Sequence, residues 1–215
     1  MLPKEEVFQN AKEIKLGLVE PSIEFKVLAE KIKAKWNSNL INGDIYNYVQ
    51  MSSPIRLRLI FDSIEDIKLL PKFWIDRQET IGKNFIEILT ENKSNKYQHF
   101  NLSEMMIDYF DFEELVFKEC FLKVDFMEIN QEFEQENIAS IRKYWDYIHV
   151  FYQTDEDVKI KETMGVSKKI KDKIQEIAER NDLFGILKNR PLKIIFDSKD
   201  NIEKVALYNS YKGII

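Results

Sequence analysis

LRLIFDSIEDI (Leu57–Ile67) and LKIIFDSKDNI (Leu192–Ile202) match at six of eleven positions, and how this pair is read decides the fold. Each begins with an apolar, β-branched run suited to a core strand. Each leaves that run through Asp-Ser, two side chains that satisfy backbone N–H groups where a strand ends. The flanking sequences do not continue the likeness, so we read the pair as two core strands sharing one exit chemistry and not as two copies of a functional unit. In the first, Ser63 and Asp66 have the spacing of a capping box. In the second, Ser198 to Asn201 reads as a β-turn.

Working outward, IYNYVQM (45–51) and PIRLRLIF (54–61) read as paired strands joined through Ser52, Ser53 and Pro54. Upstream, Val7, Ala11, Ile14 and Leu18 form one helical stripe that ends near Gly17. A second helix is expected from Ser22, burying Phe25, Leu28, Ile32 and Trp36, with NSNLINGD (37–44) as a loop. Downstream, Ile64, Ile67 and Leu70 follow a helical period that Pro71 stops. Ile81, Phe85, Ile88 and Leu89 mark a helix over 79–91, and Met106, Ile107 and Phe110 mark another starting at Ser103.

VFKECFLKVDFMEI (116–129) alternates like a long strand, NQEFEQENIASIRKYWDYI (130–148) like a helix presenting Ile138, Ile141 and Trp145. Two short strands are expected in YIHVFYQTDEDVKIKE (147–162), a helix from Ser167 with Ile170, Ile174 and Ile177 inward, and a last strand in VALYNSYKG (205–213). No Pro/Gly/Ser-rich linker divides the chain. The expectation is therefore a single compact α+β domain over 1–215, a mainly antiparallel sheet with packed amphipathic helices, the N-terminal helical pair 3–36 lying on it.

Composition excludes several chemistries. Of 215 residues only six are Gly and one is Cys, so Gly-rich cofactor loops, disulfides and CxxC pairs have no basis. The one Gly-Lys, Gly82-Lys83, lacks the rest of a P-loop, and no Gly-x-Ser-x-Gly occurs. His99 and His149 lie too far apart in sequence for a zinc pair, and Cys120 reads as an inert buried thiol. A charged N-terminus without an apolar core and no run of about 20 apolar residues point to a cytoplasmic protein that does not contact membranes. No cofactor and no catalytic residue is expected, and an enzyme is not the lead reading.

Charge carries the functional expectation. The net charge of −5 argues against nucleic-acid binding. From Glu104 to Glu136, however, eleven acidic residues face two lysines, and from Lys159 to Lys193 ten basic residues face five acidic ones. In the acidic stretch Asp108, Tyr109, Asp111, Phe112, Glu113, Glu114, Glu132, Glu134 and Glu136 combine long-range charge with aromatic anchors. That combination suits a protein that binds a basic partner, such as an immunity or antitoxin-type inhibitor of a toxin. Lys168, Lys169, Lys171 and Lys173 open a helix, as a solvated face or a phosphate or acidic contact. The alternative reading is a metal-dependent phosphoryl-transfer enzyme or nuclease, its Mg²⁺ held by the strand-end carboxylates Asp62 and Asp197.

Overall fold

The computed structural model describes residues 3–46, 55–94, 102, 105–144 and 146–201. His99, Trp145, Ile202 and the strand expected at 205–213 lie outside them. The chain is an α+β protein, and its contacts group into two compact units, Met1–Val116 and Phe117–Ile215.

In the first unit, helices α1 (Glu6–Lys15) and α2 (Ile23–Trp36) precede strands β1 (Leu40–Tyr46) and β2 (Arg56–Phe61). The short helices α3 (Ile64–Lys68) and α4 (Trp74–Arg77) follow; a π-helical turn, Gln78–Gly82, continues α4 into α5 (Lys83–Glu91), and β3 (Met106–Asp111) completes the sheet. The order is β1-β2-β3, antiparallel between the first two and parallel between the last two. Phe25, Leu28 and Ile32 of α2 join Leu57, Leu59, Phe61, Ile81, Phe85, Ile88 and Ile107 in one core. Asn42 and Gly43, adjacent on β1, point to opposite faces. The Asn42 amide reaches the Val7 carbonyl on α1, and Gly43 meets the Phe25 ring on α2, so the two helices cover opposite faces of β1.

The division between units falls within α6 (Phe112–Lys123). After it come α7 (Phe126–Glu132), β4 (Ile138–Tyr144), β5 (Tyr147–Tyr152), α8 (Asp155–Thr163), α9 (Val166–Glu179), α10 (Ile186–Asn189) and β6 (Lys193–Ser198). The order β4-β5-β6 again joins an antiparallel pair to a parallel one. Even the irregularity recurs: register shifts between Leu40 and Asn42 in β1 and between Ile138 and Ser140 in β4.

Topologically, then, β5 corresponds to β2 and β6 to β3. The two IFDS segments lie on β2 and β6, which are not equivalent strands. Their common exit is nonetheless real. The Ser63 hydroxyl accepts from the Asp66 N–H, and Ser198 accepts from the Asn201 N–H at 3.0 Å. The true counterpart of Ser63 is Thr154 at the end of β5, which forms a full capping box with Asp157.

Several local expectations are corrected. Lys199–Asn201 begin a helix and not a β-turn. Residues 37–44 contain most of β1, because Gly43 serves close packing under Phe25, not a turn. Met106–Asp111 is a strand whose parallel partner is distant in sequence. The expected strand at 116–129 is mainly α6: Phe117, Cys120, Phe121 and Val124, at helical spacing, are buried, whereas Leu122 is exposed. Asn137, at φ 54°, ends the helical path of 130–136, and β4 follows. Thr154 caps α8 where a turn and strand were expected. Leu18 lies beyond α1 and is exposed.

Candidate functional site

The first unit contains a cleft of about 500 Å³. One wall is the face of α1 on which Glu6, Asn10 and Glu13 form a polar row beside Val7 and Ile14, at the i, i+4, i+7 spacing of a helix. Val19, Glu20, Pro21 and Ser22, between α1 and α2, close one end, and Phe25 of α2 forms the opposite wall. The floor is Asn42, Gly43, Asp44 and Ile45 of β1. β1 is the outer strand of its sheet, so among the described residues its far edge carries unpaired backbone groups.

Gly43 is required by this packing. A Cβ there would lie 2.6 Å from Phe25 Cε1 and 2.7 Å from the Arg58 carbonyl oxygen. Beside the floor, buried Arg58 donates through Nε to Asp44 Oδ1 at 2.8 Å, holds Asp44 a second time through Nη2, and also pairs with Glu5. Burial lowers the pKa of Arg58, but the two carboxylates outweigh it and raise the value above its ordinary one. Four carboxylates, from Glu6, Glu13, Glu20 and Asp44, line the cleft, and no Lys, Arg or His does. Its apolar side chains suit the methylene stem of a Lys or Arg, and its carboxylates the cationic head.

The acidic residues singled out in the sequence divide between the two units, Asp108 to Glu114 in the first and Glu132, Glu134 and Glu136 in the second. Asp108 on β3 accepts two bonds from Arg56, at 2.8 and 3.0 Å. Tyr109 stands edge-on to Phe61 and carries the Arg77 guanidinium 4.1 Å above its ring. Burial pushes its hydroxyl above the ordinary tyrosine pKa, against the Arg77 charge. Asp111 Oδ1 accepts from the Glu113 N–H and so caps α6. Phe112 is corrected as a contact residue: it is 1% exposed and packs against Phe8 at 5.7 Å. Glu113 is exposed in the first turn of α6, with the partly exposed Glu114 beside it.

In the second unit, the acidic middle and the basic late region neutralise each other. Lys173 lies 3.0 Å from both Glu128 and Glu132, Arg180 grips Glu128 with two bonds, and Lys161 pairs with Glu136. Those carboxylates raise the Lys173 pKa above its ordinary value. Of the expected contact residues in this unit, Glu134 is the exposed one without an ion pair among the described residues.

Asp62 and Asp197 fall on different units, at the ends of the non-equivalent strands β2 and β6. Asp62 accepts from Lys15 at 2.6 Å. Asp197 accepts from the Ser198 N–H and from the Asn201 amide, with His149 Nε2 3.8 Å away. Among the described residues no three His, Cys, Asp or Glu side chains converge to hold a metal ion. No described helix is long and apolar enough to cross a membrane, and Cys120 is fully buried.

Sequence reasoning missed the cleft residues Glu6, Asn10, Glu13, Glu20 and Asp44. The row on α1 was legible as a helical spacing, but its meaning depends on β1, the outer strand of its sheet among the described residues. Neither protein-family models, nor curated proteins, nor solved structures provide a match to the chain.

Proposed function

We propose that the chain is a protein-protein interaction protein of the immunity or antitoxin type, which inhibits a basic partner by receiving an extended, Lys- or Arg-bearing segment in the cleft between α1 and α2. The observation that carries this reading is the pairing, among the described residues, of an open strand edge with four carboxylates, of which Asp44 is held by Arg58 and Glu20 lies 3.4 Å from Lys26, while Glu6 and Glu13 have no such partner. A strand edge offers main-chain hydrogen bonds to an added segment, and flanking side chains select its residues. The carboxylates favour cationic side chains and accelerate encounter with a basic surface. Asp111, Glu113 and Glu114 add to the acidity of the first unit, so the expected preference for a basic partner rests on that unit more than on the internally paired second one.

A hexa-arginine peptide titrated into ¹⁵N-labelled full-length chain tests this. Amide shifts are expected along residues 6–14 and 42–45. The triple variant Glu6→Gln/Glu13→Gln/Glu20→Gln should weaken binding at least tenfold, and Glu113→Gln/Glu114→Gln much less. Shifts that avoid the cleft, or an affinity unchanged in the triple variant, refute the assignment.

A further inference from the structure

From the end of α3 into α4 the chain exposes a cluster of large apolar side chains, two of them aromatic. Phe73 is 74% exposed, Trp74 68%, Ile75 53% and Leu69 52%. Side chains of this size usually enter a core, and a contiguous exposed patch of them marks a contact surface. The fold does not demand it: the topologically equivalent turn after α8, at Met164 and Gly165, contains no aromatic residue.

The tip is also held in place. Arg77 donates to the Pro71 carbonyl at 3.2 Å, the Lys72 carbonyl at 3.1 Å and the Ile107 carbonyl at 2.9 Å, while its guanidinium lies over Tyr109. One half-buried cationic fork thus ties the loop backbone to β3. Presenting large aromatic side chains on a fixed backbone lowers the entropy lost on contact and is how binding hot spots are built.

The charges on either side indicate what covers it. Lys68 is paired with Glu65 and Glu79 with Lys83, which leaves Lys72 before the tip and Asp76 after it as the basic and acidic flanks of an apolar centre. Lys72 and Asp76 are both exposed, and neither forms an ion pair among the described residues. A patch with opposite charges on its two sides is complementary to itself under a two-fold rotation, because each basic flank then meets the other copy's acidic flank. The balanced charge gives an anionic lipid surface no comparable attraction.

We infer that this tip is a self-association surface: two copies of the chain pack Phe73 and Trp74 together across a two-fold axis, with Lys72 of one copy facing Asp76 of the other. The four apolar side chains expose on the order of 500 Å² per copy. Two copies would therefore bury on the order of 1,000 Å², the lower end of specific interfaces. The dimer is accordingly a weak one, forming at micromolar concentrations and above. This surface is independent of the cleft.

Sedimentation velocity of the full chain over a concentration series is the test. Wild type should pass from monomer to dimer as concentration rises. Phe73→Ser/Trp74→Ser should remain monomeric with an unchanged unfolding transition. Lys72→Glu and Asp76→Lys should each weaken the dimer about tenfold, and the combined charge reversal should restore it. A wild-type chain that stays monomeric up to millimolar concentration overturns the proposal, even if it then floats with phosphatidylcholine vesicles, which would assign the tip to a lipid surface. A dimer that persists in Phe73→Ser/Trp74→Ser overturns it equally.

Discussion

Arg58 and Asp44 stand directly opposite each other on β2 and β1, joined by two hydrogen bonds, and the same guanidinium reaches Glu5 ahead of α1. The side chain of Arg58 is nearly buried and also lies 4.2 Å over the Tyr46 ring. It therefore links the sheet to the segment that begins the cleft wall.

Replacing Arg58 with Ala leaves two carboxylates facing a cavity. Breaking a buried pair by removing one partner costs about 3–5 kcal/mol, and the partial exposure of Asp44 and Glu5 reduces this to about 2–4 kcal/mol. Urea unfolding of Arg58→Ala against wild type measures it; a loss under about 0.5 kcal/mol would show the pair to be a surface contact only.

Gly43→Ala should destabilise the first unit by about 1–3 kcal/mol, because the added methyl meets the Arg58 carbonyl and the Phe25 ring, and backbone cannot yield as a flexible side chain can. Paired with Phe25→Leu, which vacates part of that space, the cost should fall. A double-mutant cycle in thermal unfolding reads the coupling directly, and strict additivity would contradict the packing described.

Ser63 and Thr154 cap α3 and α8 at corresponding strand exits. Each change to Ala should cost about 1 kcal/mol. The Thr154 box, with reciprocal bonds to Asp157, should be the more sensitive of the two. Equal and negligible shifts in the unfolding midpoint would deny both caps a role.

Burial holds the His149 imidazole below its ordinary pKa, with the Asp197 carboxylate partly opposing. The folded chain thus prefers neutral His149, while an unfolded one takes up a proton near pH 6.5. Stability attributable to His149 is present above that value and declines as pH falls through it toward the lower folded value. His149→Phe should flatten the dependence of unfolding free energy on pH between about 7 and 5. An unaltered slope would place that dependence elsewhere.

Local signals in the sequence located much of this fold. The stripes of α1, α2, α5 and α9 were legible because one face of each is buried at helical spacing, and the Asp-Ser exits because caps are chemistry between near neighbours. Where two periods fitted the same letters, the sequence was silent. Phe117, Cys120, Phe121 and Val124 satisfy a helix, and Cys120, Leu122 and Val124 satisfy a strand; burial on both sides of α6 removes the polar face that would separate them. Met106–Asp111 could be recognised as a strand only through its parallel partner β2, 50 residues earlier in register.

Charge followed the same division. The sequence by itself determined that an acidic middle and a basic late region exist, since formal charge belongs to residues. Tertiary structure decided that Lys173, Arg180 and Lys161 neutralise Glu128, Glu132 and Glu136, and that four carboxylates gather beside a strand edge framed by α1, α2 and β1. The physical reason is range: capping and periodicity act between neighbours in the chain, whereas strand pairing and ion pairing act across distances in space that residue order does not encode.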